Sequence, residues 1–314
     1  MKLLLQIVLL ILGFILLVKG ADFFVDGSSS VAKRLKVPSL IIGLTIVAMG
    51  TSLPECSVSV SASITGRNEL AIANAVGSNI FNLMVVCGAC ALFCPLIVQR
   101  SLLLKEYPLS VLAAAPLLVF GLMGNQVGHI EGVILVIIFA AFMVWMVVSA
   151  KRARNAMAED NGEYKVMPVW KCILYIAGGG AAIIIGGDLV VDSASAIASF
   201  FGMSENLIGL TIVAFGTSLP ELVTSVVAAK KKEVDMALGN VIGSNIFNIF
   251  MVLGIAGAIS PMTFTSENAV DIAVLLGFSA IVWVFCWVSK KLKRWQGGAM
   301  LTAYAGYVVY ACMR

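Results

Sequence analysis

Histidine is almost missing from this chain, one residue in 314, and charge is scarce: Asp, Glu, Lys and Arg make up 12%, against roughly 25% in soluble domains. A single imidazole leaves no His-based metal set and no His–nucleophile pair, which argues against an enzyme. The glycine run Gly178, Gly179, Gly180 follows no strand and lies in an apolar stretch. It therefore reads, with Gly186 and Gly187, as a close-packing surface between helices, not a nucleotide loop, and no ATPase motif occurs elsewhere. The seven cysteines fall mostly in apolar runs and supply no disulfide framework. Cys87, Cys90 and Cys94, at helical spacing, read as small buried hydrophobes, because a soft-metal site needs more ligands. His129, beside Glu131 in a short loop, is expected to be solvated. No cofactor and no nucleic-acid partner are expected.

What the chain has in abundance is apolar length. It is 60% hydrophobic, and runs of about 20 apolar residues, enough to cross a bilayer core, recur along it. A soluble reading would need every helix apolar on all sides. The expected fold is an all-α membrane protein with the lipid bilayer as its partner. Ten spans are read, at about Leu3–Phe24, Ser39–Ser63, Leu70–Leu92, Leu102–Met123, Ile130–Ser149, Trp170–Val191, Leu207–Ala229, Met236–Ile259, Ala269–Ser289 and Gly298–Met313. Trp145, Trp170, Trp287 and Trp295 fit interfacial belts.

One stretch occurs twice. Gly43-Leu-Thr-Ile-Val-Ala-Met-Gly-Thr-Ser-Leu-Pro-Glu55 returns as Gly209-Leu-Thr-Ile-Val-Ala-Phe-Gly-Thr-Ser-Leu-Pro-Glu221, and Gly77-Ser-Asn-Ile-Phe-Asn82 returns as Gly243-Ser-Asn-Ile-Phe-Asn248. The offset is 166 throughout, and 23 of the 40 positions from Gly43 to Asn82 match their counterparts without a gap. That is an internal duplication. It gives a first repeat at 1–149, a polar linker at 150–169 and a second repeat at 170–314. Asp22 and Asp26 match Asp188 and Asp192 at the same offset, so the first span has a twin and is expected to be kept, not cleaved as a leader.

Five spans separate equivalent points, an odd number, so the copies must be inverted. The loop charges agree. Lys33 and Arg34 face Ser199 and Phe200 in the other copy, and Thr65 and Gly66 face Lys231 and Lys232. Seventeen basic residues fall on one side and Lys2, Arg67 and Arg314 on the other. By the positive-inside rule the linker is cytoplasmic, both termini are outside, and the location is the plasma (cytoplasmic) membrane. Two inverted five-helix repeats form a transporter architecture with binding groups near mid-membrane.

Pro54 and Pro220 lack an N–H and free the carbonyls of Gly50 and Gly216. A freed carbonyl in a membrane must face protein, water or an ion. Thr51, Ser52 and Glu55 share a helix face if the helix resumes, Ser78 and Asn82 are four apart on the next span, and Thr217, Ser218, Glu221, Ser244 and Asn248 repeat the set. These donors are all oxygens, which suits hard cations such as Ca²⁺ and Na⁺. The bland alternative is a pair of protonated, hydrogen-bonded acids holding helices together, but matched intramembrane acids are functional candidates by default. Asp22, Asp26, Asp188 and Asp192 read equally as vestibule residues or interfacial caps, and Lys19 is placed to pair with Asp22.

At these blocks the chain resembles the Ca²⁺:cation antiporters, particularly bacterial and archaeal sodium/calcium exchangers, whose two alpha-repeats carry Gly-Thr-Ser-x-Pro-Glu and Gly-Ser-Asn-x-Phe-Asn. The resemblance implies ten helices and a central site formed by spans two, three, seven and eight. It implies long, tilted first and sixth helices that slide to alternate access. It carries cation ligands over to Thr51, Ser52, Glu55, Ser78, Asn82, Thr217, Ser218, Glu221, Ser244 and Asn248, and makes the Ala48 and Ala214 carbonyls Na⁺ ligands. The implied activity is gradient-driven Ca²⁺/Na⁺ antiport. Relatives tend to hold Asp where this chain holds Asn248, which opens coupling to H⁺ or K⁺, or carriage of Mn²⁺, as the alternative. A cation channel would use the same oxygens, but inverted repeats favour alternating access and nothing suggests an oligomeric pore. No obligate protein partner is implied; a monomer suffices.

Overall fold

The computed structural model describes residues 2–66, 69–124, 126–157, 166–204 and 208–313. Arg67, Lys165 and Arg314, used above for orientation, and Leu207, at the start of the seventh expected span, lie outside these residues. The described chain is helical apart from two short ribbons.

In chain order the helices are α1 (Lys2–Leu35), α2 (Ser39–Thr51), α3 (Leu53–Ile64), α4 (Leu70–Phe93), α5 (Leu102–Gly121), α6 (His129–Met157) and α7 (Val169–Phe200). They continue with α8 (Ala214–Gly216, entered through a π-helical turn at Gly209–Val213), α9 (Leu219–Lys230), α10 (Val234–Ile259), α11 (Ser266–Ser289) and α12 (Arg294–Met313). Strands β1 (Leu96–Ile97) and β4 (Lys291–Leu292) pair antiparallel, as do β2 (Gln126–Val127) and β3 (Met262–Thr263). Each ribbon joins the two repeats, because β1 and β3 are equivalents at the 166-residue offset, and β2 and β4 nearly so.

Among the described residues, seven helices are long and apolar enough to cross a membrane alone. An eighth span results if α2 and α3, bent by 48° at Ser52, are taken together. This is fewer than the ten expected, for two physical reasons. The counterpart of the bent pair is cut by the turn at Thr217–Ser218 into pieces as short as three residues. The last helix, α12, carries Gln, Thr, Tyr and three glycines in its 20 residues. The first and sixth spans also run longer than read. α1 has 34 residues and α7 has 32, about 50 Å each, well beyond a hydrocarbon core of roughly 30 Å.

Glycines fix how α1 meets α7. A Cβ on Gly13 would lie 3.0 Å from the Gly186 carbonyl, one on Gly20 would lie 2.9 Å from that of Gly179, and one on Gly27 would meet Tyr175 and the Cys172 carbonyl. As the number rises on α1 it falls on α7, so equivalent helices of the two repeats run antiparallel. Gly179 and Gly186 do serve close packing, while Gly178 has nothing within 4 Å. The outward faces of α1 and α7 carry exposed Leu5, Val8, Ile11, Ile15, Ile173 and Ile185, as a lipid-facing surface would.

The turns repeat as well. Gly66 (φ +73°) matches Lys232 (φ +65°), and Gly202 (φ +86°) matches Lys36 (φ +52°). Both left-handed positions are glycine at the sparsely charged face and lysine at the basic one, although a side chain there costs about 1–2 kcal/mol. Four of the five π-helical turns are matched pairs too: Gly43–Val47 with Gly209–Val213, and Asn82–Val86 with Asn248–Val252. Such turns gather at functional sites. Here they flank the two duplicated blocks.

Candidate cation site

The site lies where α2, α3, α4, α9 and α10 meet. Pro54 and Pro220 occupy the first turns of α3 and α9, where their missing N–H is tolerated and their rings end the preceding helix. The helix resumes at once, Cys56 N–H bonding Ser52 O and Leu222 N–H bonding Ser218 O. Each carboxylate therefore leaves the first turn of a helix and points inward.

Glu55 and Glu221 are both fully buried, and each is held by the other repeat. Ser218 Oγ donates to Glu55 Oε1 at 3.0 Å, and Ser52 Oγ donates to Glu221 Oε1 at 2.7 Å. Ser218 Oγ also lies 3.1 Å from Ser78 Oγ. The Gly-Ser-Asn-Ile-Phe-Asn blocks interlock across the same axis. Asn79 Nδ2 donates to Asn245 O at 3.1 Å, Asn245 Nδ2 to Asn79 O at 3.3 Å, and Asn248 Nδ2 to Asn79 Oδ1 at 3.1 Å.

After these bonds a set of buried oxygens is left over. Among the described residues Glu55 Oε2, Glu221 Oε2, Asn82 Oδ1, Thr217 Oγ1, Ser244 Oγ and Asn248 Oδ1 have no hydrogen-bond partner, and neither does Asn82 Nδ2. Each orphan would cost about 1–3 kcal/mol if nothing met it. Six oxygens, two of them anionic, match the demand of one Ca²⁺ or of smaller hard cations. Among the described residues no three His, Cys, Asp or Glu side chains gather, so charge comes from the two glutamates and the rest of the donor set is neutral.

Of the sequence-derived candidates, Thr51, Ser52, Glu55, Ser78, Asn82, Ser218, Glu221, Ser244 and Asn248 are buried, and Thr217 half-buried, around this point. The Ala48 carbonyl accepts Ser52 N–H at 3.1 Å and lies 3.4 Å from Thr51 Oγ1. Ala214, its equivalent in the second repeat, opens α8. Two pairs escaped notice in the sequence: Asn74 with Ser59, and Asn240 with Ser225, bonded at 3.0 and 2.9 Å. All four are identical between copies at the 166 offset, and that identity was the available signal.

Two vestibules adjoin the site. One, of about 440 Å³, is lined by Pro54, Asp188, Asp192, Thr217 and Pro220. The other, of about 210 Å³, is lined by Asn74, Gly77, Ser78, Phe215 and Asp271; Asp271 accepts from Tyr307 Oη at 3.0 Å and was not singled out from the sequence. Asp188 and Asp192 are thus vestibule residues. Asp22 and Asp26, their mirror images, are not: Lys231 Nζ lies 2.7 Å from Asp26 Oδ1, 3.3 Å from Asp22 Oδ1 and 2.9 Å from Asp22 O. Lys19 reaches Asp22 at 4.0 Å. His129, expected to be solvated, is exposed at the start of α6, with Nδ1 2.9 Å from Ala258 O.

The sequence model of the sodium/calcium exchanger protein family matches residues 5–148 and 171–313, one match per repeat. The chain belongs to the sodium/calcium exchanger family. It is similar to the sodium/calcium exchanger MaX1 of Methanosarcina acetivorans, 32% identical over 96% of this chain and 97% of that one. It is also similar to the inner membrane protein YrbG of Escherichia coli, 35% identical over 99% and 97%. A solved structure of the sodium-calcium exchanger NCX_Mj, soaked with Na⁺ and Sr²⁺, superposes with a TM-score of 0.85 at 36% identity, over 98% of this chain and 99% of that chain. Family membership makes this exchanger a multi-pass membrane protein of the antiporter class, and not an enzyme.

Proposed function

We propose that the chain is a secondary antiporter that exchanges Ca²⁺ for Na⁺ by alternating access, loading both at the Glu55–Glu221 site. The observation that carries this reading is the pair of fully buried carboxylates, each bonded through one oxygen to the opposite repeat and left with the other oxygen free. Two negative charges balance one Ca²⁺ or two Na⁺, so the two cations compete for the same oxygens instead of binding side by side. The ligands are Thr51, Ser52, Glu55, Ser78 and Asn82 with Thr217, Ser218, Glu221, Ser244 and Asn248, and the Ala48 and Ala214 carbonyls serve Na⁺. In this reading the chain crosses ten times as two inverted five-helix repeats, 1–149 and 170–314, and works as a monomer. The linker faces the cytoplasm and the termini face out, because the basic residues crowd the linker side. ⁴⁵Ca²⁺ flux into proteoliposomes under separately imposed Na⁺, K⁺ and H⁺ gradients tests the reading. Na⁺-driven uptake supports it, and uptake indifferent to Na⁺ would overturn it.

A second reading rests on Asn248. Its amide nitrogen is spent on Asn79 Oδ1, so it offers the site a neutral oxygen where relatives offer a carboxylate. With less fixed charge to hold extra Na⁺, coupling to H⁺ or K⁺, or carriage of Mn²⁺, becomes the alternative. The same flux assay separates the two.

A further inference from the structure

Thr51 has one hydroxyl proton and two acceptors within reach. Asn240 Oδ1 lies 3.1 Å away and the Ala48 carbonyl on its own helix 3.4 Å. A cation seated between Thr51 and Glu221 repels that proton, so the hydroxyl serves as a ligand only if its hydrogen points away. Turning it back to Ala48, the usual habit of a helical threonine, would occupy a carbonyl oxygen that also faces the site. Asn240 offers the remaining route. Its amide is fully buried and fixed by Nδ2 donating to Ser225 Oγ at 2.9 Å, which aims Oδ1 at Thr51.

The mirrored half-site has the same parts in a different arrangement. Asn74 Nδ2 keeps the equivalent bond to Ser59 Oγ, but its second contact is the Glu55 carbonyl at 3.3 Å. Thr217 Oγ1 has no partner among the described residues and borders the larger vestibule. The cause is the backbone. A Cβ on Gly243 would lie 2.6 Å from Leu44 O and 2.7 Å from Ala48 Cβ, whereas one on its counterpart, Gly77, would meet nothing within 4 Å among the described residues. The entering helix of the first repeat is pressed onto α10; that of the second stands off α4.

We propose that Asn240 is a positioning residue that takes the Thr51 proton and so turns its lone pairs to the cation, and that Asn74 does the same for Thr217 once the gap at Gly77 closes. The inference rests on the reading of these threonines as ligands. It makes the Thr51 half-site complete in this conformation and the Thr217 half-site complete only on closure.

The test is a double-mutant cycle in proteoliposomes, with half-saturating Na⁺ and Ca²⁺ measured for Thr51→Val, Asn240→Ala and the pair. Thr51→Val and Asn240→Ala are each expected to raise half-saturation about three- to tenfold, the factor one net hydrogen bond carries. The double variant should do no worse than Thr51→Val alone, because Asn240 acts only through that hydroxyl. Asn74→Ala should couple to Thr217→Val in the same way. Additive effects, or an Asn240→Ala that lowers folded yield and leaves half-saturation unmoved, would show a helix clamp and overturn the proposal. If Thr51→Val itself changes nothing, the ligand reading falls first and this one with it. Should Asn240→Ala fail to reach the membrane, Ser225→Ala carries the same cycle. It unseats the amide and leaves the side chain in place, and a smaller shift still coupled to Thr51 is expected.

Discussion

The two mouths of the site are built from matched residues and do not match. Around Asp22 and Asp26 the chain is drawn shut: Lys231 sits between the two aspartates, and Glu233 accepts hydrogen bonds from Ser29 and Ser39, with Lys33 3.8 Å away. Around Asp188 and Asp192 the equivalents of Lys231 and Lys232 are Thr65 and Gly66, neither aspartate has an ion pair among the described residues, and a cavity of about 440 Å³ runs between them and Thr217. The antiparallel packing of α1 on α7 sets the two mouths roughly 15 residues of rise apart along the helix axis, about 22 Å. An inverted repeat folded symmetrically would be open at both ends or at neither. Sequence differences at a few loop positions are enough to break the tie, because the frame they act on is nearly degenerate.

The largest effect falls on what the two halves share. Glu55→Gln and Glu221→Gln each remove one of the two charges facing the orphaned oxygens, and each should reduce Na⁺-driven ⁴⁵Ca²⁺ flux at least about 100-fold, the scale of losing a buried ionic ligand. Size-exclusion behaviour should stay unchanged, since glutamine still accepts from Ser218 or Ser52. Near-normal flux in either variant would remove the site from Glu55 and Glu221.

Next comes a pair of substitutions that asks whether the asymmetry is a matter of conformation. Gly243→Ala puts a methyl against Leu44 O and Ala48 Cβ, which should cost about 1–3 kcal/mol as an overpacked contact and lower the melting temperature. Gly77→Ala meets nothing and gains up to about 1 kcal/mol of helix propensity, so thermal unfolding should be unaffected or slightly delayed. If α8 closes onto α4 during exchange as α2 lies on α10 here, the same methyl must slow turnover severalfold while binding at the open mouth persists. Wild-type turnover in Gly77→Ala would mean that the gap never closes.

Much of this could be read from the chain alone, and the reasons for the rest are specific. The duplicated blocks and the helix-ending prolines were legible because they are local patterns. The sequence showed the 166-residue offset between Asp22 and Asp188, but not that one pair would be capped by Lys231 and the other left open, since the choice depends on which of two similar packings the helices adopt. Asn74 and Asn240 carried the repeat signal and were passed over because their partners, Ser59 and Ser225, sit fifteen residues away on another helix. Among the described residues fewer helices pass as single apolar spans than the ten read, because the helix broken at Thr217–Ser218 divides its apolar length between pieces, which a hydropathy window over the sequence runs together.

The smallest effect belongs to the latch itself. Lys231 and the two aspartates are between 29% and 43% exposed, so the cluster is worth at most about 1 kcal/mol per pair and is weakened by salt. Lys231→Gln should therefore leave folding and the open mouth untouched and favour opening of the closed one. In sided vesicles the half-saturating Ca²⁺ on the Lys231 side should fall about two- to fivefold, with no change on the Asp188 side. The wild type should approach the variant as KCl is raised. Thr65→Lys is the reciprocal experiment, because it installs the missing cation opposite Asp188 and Asp192. If charge at the mouth is what breaks the symmetry, that one lysine should raise half-saturation on the Asp188 side by a similar factor and leave the Lys231 side as it was. If neither substitution shifts a sided constant, the asymmetry lies in the glycine packing at Gly77 and Gly243, and the ion pairs merely follow it.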